Sequence, residues 1–139
     1  MPLWHYNRAM VDLRIVDSIT ELGATDRGCI AVSGSHGGIS SARYALAARP
    51  WLSVFNDAGV GKDAAGLASL AFLQSHGLAA CTVSHASARI GEASSTLNDG
   101  LISHANALAA ELGVRPGQGC KTVVERLRAG QIDLGSPRP

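Results

Sequence analysis

The alternation of apolar and polar stretches becomes regular at residue 29, where Cys-Ile-Ala-Val has the length and character of a strand covered on both faces. The run stops at Ser-Gly-Ser-His-Gly-Gly, residues 33–38, and the apolar spacing then changes: Ile39, Ala42, Ala45 and Leu46 fall on one side of a helix. Pro50 disfavours helical backbone at Arg49, which ends that helix. The cycle then returns. Residues 51–55 read as a strand, 56–63 as a loop and 64–75 as a helix closed by Gly77. Residues 78–83 read as a third strand and 84–92 as its loop, followed by a helix that ends near Gly100. Leu101 and Ile102 form a short fourth strand with 103–106 as its loop, and 107–112 a helix closed by Gly113. After a turn at 116–119, residues 121–129 form a surface helix with Val123, Val124 and Leu127 on one side.

Strand, loop and helix repeated in this order specify a parallel sheet with right-handed crossovers. The expected fold is a single α/β domain over 1–139, a small three-layer Rossmann-like or flavodoxin-like unit with a short parallel sheet of three or four strands and helices on both faces. Residues 1–26 read as an N-terminal extension with a short helix near 18–22, where Ser18 and Glu21 have capping-box spacing and Gly23 ends the element. Residues 131–139 read as a flexible tail.

Composition adds a packing constraint. Twenty-two alanines, 14 serines and 16 glycines stand against 4% aromatics, so backbones must approach closely, within the chain or across a subunit contact. The helix at 64–75 is apolar on most sides, which points to a homo-oligomer or to a larger partner. A formal charge of +1 without a basic cluster speaks against nucleic acid. No apolar run is long enough for a membrane span, and the start lacks the pattern of a signal peptide. Three cysteines without CxxC spacing suit a reducing, cytoplasmic setting; Cys29 and Cys81 fall at strand starts and read as core.

The polar residues gather in the loops after the strands, which in a parallel sheet open on one edge, where ligands bind. The first loop offers Ser33, Ser35, His36 and Gly37, with glycines that let a carboxylate or phosphate approach backbone amides; the same glycines would also suit a tight turn. The second offers Asn56, Asp57 and Lys62, the third Ser84, His85 and Arg89, and the fourth Ser103 and His104. Lys62 is one of only two lysines and sits at a helix start, unfavourably for the dipole, which suits contact with an anionic substrate or a neighbouring Asp. Arg89 can grip a carboxylate or pair with Glu92 three residues on; both readings stand.

Several familiar motifs fail. Gly59, Gly61 and Ala64 match G-x-G-x-x-A between a strand and a helix, but Thr-Val-Ser-His at 82–85 lacks the acidic ribose partner of a dinucleotide site. Asn56 and Asp63 stand where a Walker A loop needs Gly and Ser/Thr, and neither Ser33 nor Ser35 has the flanking glycines of a nucleophile elbow. His36, Asp57, His85 and His104 have the chemistry for a divalent metal without the spacing of a compact metal motif, so no cofactor is favoured.

The function these residues suggest is a small enzyme acting on a small anionic, carboxylate-bearing metabolite by general acid–base chemistry. His36, Asp57 and His85 are its catalytic candidates. Ser33, Ser35, Gly37, Asn56, Lys62, Ser84, Arg89 and His104 are its substrate-binding candidates. Hydrolysis of an amide or ester is preferred to a lyase or isomerase step. The alternative is a non-catalytic small-molecule binder or an accessory subunit of a larger enzyme complex.

Overall fold

The computed structural model describes residues 11–130, in which five strands form one sheet in chain order: β1 (Leu13–Val16), β2 (Ile30–His36), β3 (Leu52–Asn56), β4 (Ala79–Val83) and β5 (Ile102–Ala105). The first four are parallel and β5 is antiparallel to β4. The architecture is the expected three-layer Rossmann-like α/β domain, with five strands instead of three or four. The additional strand, β1, lies inside the stretch read as an N-terminal extension. Its burial is incomplete because it is an edge strand, so its four residues never formed the dense apolar run that marked β2. Residues 1–10 of that extension, and the tail expected at 131–139, lie outside the described residues. No helix among the described residues is long and apolar enough to cross a membrane.

The sheet alternation separates two cores. Ile30, Val32, Leu52, Val54, Cys81 and Val83 face one side, where they meet Val123, Val124 and Leu127 of helix α5 (Cys120–Arg128). Helix α3 (Ala93–Asp99) lies on this side also, across β2 and β1 and against α5. Ala31, Phe55 and Ala80 face the other side, under α1 (Ile39–Ala48) and α2 (Ala68–Ser75). Here the small residues do what the composition requires: Ala42 and Ala45 are fully buried between α1 and the sheet, and α1 packs directly on α2. Leu70 and Leu73 of the apolar helix are buried in the second core, with Leu67 and Phe72 packed half-buried against it.

That helix is also shorter than its apolar pattern. Residues Lys62–Leu67 form a 3-10 segment in which Asp63 and Ala64 adopt left-handed φ of 56° and 57°, and the α-helix starts only at Ala68. The expected helix near 18–22 is a single 3-10 turn, Ile19–Glu21, with its capping box formed: the Ser18 N–H donates to Glu21 Oε2 at 3.0 Å. A short helix α4 (Ala107–Glu111) follows β5, where Asn106 accepts from Ala80 and Ala109 backbone N–H groups and donates to Leu70 and Leu78 carbonyls. Asn106 is therefore a fully satisfied buried bracket.

The connections decide where a ligand can enter. Those after β2 and β3 leave to the α1/α2 face, as right-handed crossovers in one direction must, whereas the connection after β4 leads to α3 on the opposite face. Chain segments thus diverge at the carboxyl ends of β3 and β4. Such divergence opens a crevice in an α/β sheet.

Candidate active site

At that crevice stands Asp57, directly after β3 and 4% exposed. Its Oδ1 accepts from the Gly59 N–H at 2.8 Å and from the His85 N–H at 3.0 Å, joining the loops after β3 and β4. The His85 imidazole lies above, its Nδ1 3.6 Å from the same oxygen and its side chain 62% exposed. Burial pushes the Asp57 carboxyl up, but the Gly59 N–H, the nearby Ser103 hydroxyl and the His85 N–H outweigh it and hold the group below the ordinary carboxylate range. Asp57 is thus an anion fixed beside a solvent-facing imidazole.

Three features set this geometry. Asn56, fully buried, donates from Nδ2 to the Ala88 carbonyl at 3.1 Å and accepts the Ala58 N–H at 2.8 Å, tying the two loops to the strand end. The loop after β3 is tightly coiled: Ala58, Val60, Asp63 and Ala64 carry left-handed φ along with Gly59 and Gly61. Each such non-glycine residue costs about 1–2 kcal/mol, so the surrounding contacts must hold the loop against strain. Finally, Ser103 is the extra residue of a bulge between the Thr82–His104 and Val83–Ile102 pairs of β4 and β5, and its hydroxyl meets Thr82 Oγ1 at 2.8 Å.

Beside the pair opens a cleft of about 630 Å³, with Asn56, His85, Ser87, Arg89, Ser95 and Asp99 as its polar lining. Ala58, Ala86, Ala88 and Ile90 supply the apolar wall. Arg89 extends into solvent, and its Nη1 lies 3.9 Å from Glu92 Oε2, a loose exposed pair that leaves most of the guanidinium donors unused. The Ser84 hydroxyl donates to Ser87 Oγ, and the Ser87 hydroxyl to the Ser84 carbonyl, which closes the turn after β4.

The remaining candidates are placed elsewhere. Ser33 and Ser35 are inside β2, because that strand continues between β1 and β3 to His36 and leaves the first loop only Gly37 and Gly38. The Ser33 hydroxyl donates to the Val54 carbonyl, and Ser35 Oγ accepts the Ile19 N–H. The glycines there answer to packing. A Cβ on Gly34 would come within 2.5 Å of the Gly91–Glu92 backbone, and one on Gly37 would run into the Gly66 carbonyl. The Gly37 and Gly38 N–H groups donate to the Asn56 and His36 carbonyls, so these two amides are not free for the expected anion. His36 is exposed, its ring folded over Gly38, and does not line the cleft.

Lys62 is exposed and makes no ion pair among the described residues. His104 is not in a loop at the shared edge: β5 runs antiparallel, so His104 pairs with Thr82 within the sheet, its Nδ1 shielded and without a partner among the described residues. No three His, Cys, Asp or Glu side chains among the described residues come together as a metal site; of the four residues considered for one, Asp57 and His85 are adjacent. All three cysteines are buried free thiols, and burial pushes Cys29 up to about 11 and Cys120 up to about 12, so neither is a ready nucleophile.

The sequence singled out Asp57, His85, Asn56 and Arg89, and the fold brings these together. It gave no role to Ser95, Asp99 or Ile90, which join the cleft because they sit on or just before α3. Ser95 and Asp99 have the i, i+4 spacing that puts them on one helix face. Comparison with family models, curated proteins and solved structures finds no match to this chain.

The buried carboxylates also set an acid limit on stability. Asp26 is held low by the Gly23 N–H, against burial, with help from Arg14, and Asp57 is held low as described. A carboxyl whose folded value lies below its unfolded one stabilises the fold above roughly pH 4, and that contribution is lost as the pH falls through the lowered value. Urea midpoints should therefore hold on the neutral side and drop steeply below about pH 4, with a shallower drop in Asp57→Asn. An equal drop in both proteins would remove Asp57 from this account.

Proposed function

We propose that this chain is a small enzyme that acts on a carboxylate-bearing small metabolite by general acid–base chemistry, hydrolysing an amide or ester bond. One observation carries the reading: a buried, low-lying Asp57 carboxylate next to the His85 imidazole at the mouth of a ligand-sized cleft. In this reading the carboxylate favours the tautomer with hydrogen on Nδ1, and Nε2 faces the substrate. Nε2 takes a proton from water as the oxygen attacks the acyl carbon. The C–N or C–O bond then breaks, and the imidazolium returns the proton to the leaving amine or alcohol. Arg89 holds the substrate carboxylate.

A second reading, a binder without catalysis, draws support from the 3.6 Å Nδ1–Oδ1 separation, longer than a formed hydrogen bond. One experiment divides them. A panel of N-acetyl amino acids, dicarboxylic acid monoamides and dicarboxylic acid monoesters is incubated with the protein, with products followed by NMR and binding by line broadening. Hydrolysis of a panel member, with KM raised about tenfold in Arg89→Gln, is the expected result. Binding without hydrolysis selects the second reading, and no interaction with any member removes both.

A further inference from the structure

The charges around the cleft are mixed, which narrows the ligand beyond an anion. Asp99 lines the same wall as Arg89, and a smaller cleft of about 330 Å³ shares Arg89, Ser95 and Asp99 with it and adds Glu92. A purely anionic metabolite near Arg89 would therefore sit beside two carboxylates, with repulsion offsetting what the guanidinium contributes. Asp99 also has no cationic partner among the described residues. It is the last residue of α3, where the dipole disfavours negative charge, and its one hydrogen bond among the described residues comes from the Ser95 hydroxyl at 3.3 Å. Ser95 Oγ in turn accepts the Arg89 N–H at 2.9 Å, so one hydroxyl fixes the positive and the negative residue on a common frame.

Resting on the acid–base reading of this site, we infer that the ligand is a zwitterion of the amino-acid type, its carboxylate on Arg89 and its ammonium on Asp99. Ala58, Ala86, Ala88 and Ile90 form the wall for a short aliphatic portion. This arrangement neutralises every exposed charge of the wall except Glu92, which already leans on Arg89. A second consequence concerns selectivity: either single-charge analogue leaves one protein charge facing the unpaired end.

The test uses norvaline and its two truncated analogues, pentanoate and butylamine, titrated by calorimetry into the wild-type protein, Arg89→Gln and Asp99→Asn. Both side chains are exposed, so both variants are expected to fold. Norvaline should bind about tenfold or more tightly than either analogue. Asp99→Asn should remove that advantage over pentanoate, and Arg89→Gln should remove it over butylamine. Pentanoate binding to the wild-type protein as tightly as norvaline overturns the zwitterion and leaves a carboxylate-binding enzyme standing. Failure of all three probes to bind overturns the zwitterion; if the N-acetyl acids and esters also fail, the acid–base reading goes with it.

Discussion

Gly66→Ala is expected to lose about 3 kcal/mol or more of stability, read as a fall in the urea midpoint or as failure to fold. A Cβ there would overlap the Asp57 carbonyl oxygen and lie 3.0 Å from the Val60 carbonyl oxygen, while the Gly66 N–H donates to that same Val60 oxygen at 2.6 Å. Both obstacles are backbone, so no side chain can swing away. The loop that would have to move is the one already carrying left-handed Ala58 and Val60, and it has little freedom left. Gly23→Ala is the control, because nothing lies within 4 Å of its Cβ and its φ is −138°. It should stay within about 0.5 kcal/mol of wild type. A loss below about 1 kcal/mol in Gly66→Ala would mean that the loop does not close on Asp57 as described.

The same loop shows what the sequence concealed. Gly59, Gly61 and Ala64 invited a dinucleotide motif, and the apolar residues after them a helix from 64. Their use is instead a left-handed coil that brings Gly66 against the end of β3. Local pattern cannot show this, because the constraint is a backbone contact across nine residues. The glycines at 34 and 37 answer to a similar constraint: they are required by Gly91–Glu92 and Gly66, neighbours set by the tertiary fold. Buried strands were legible because burial on both faces leaves an unbroken apolar run, as at Ile30–Val32 and Ala79–Val83. An edge strand such as β1 leaves no such trace. The reversed direction of β5 has no signal in Ile-Ser-His-Ala either, and on it depended the place of His104 and the contribution of Ser103 to Asp57. Asp57 and His85 could be singled out because each follows a legible strand, and adjacent parallel strands place equivalent loops side by side.

Asp57→Asn and His85→Gln should each lower kcat by about a thousandfold on whichever panel substrate is turned over, without loss of fold. Asparagine is the informative change at 57. Its Oδ1 can still accept the Gly59 and His85 N–H groups, so the junction of the two loops survives while the charge facing the imidazole is removed. Alanine would leave two part-buried donors without their acceptor, at up to about 1–3 kcal/mol each, and confuse a lost charge with a disturbed loop. If the pair works as one unit, the double variant should be no slower than the more damaged single variant, because removing the imidazole leaves the carboxylate nothing to orient. Additive losses would mean that Asp57 acts apart from His85, on substrate or on the loop. Turnover within a few-fold of wild type in His85→Gln would exclude the imidazole as the proton carrier, and the cleft would then be a binding site whose chemistry, if any, lies with another group.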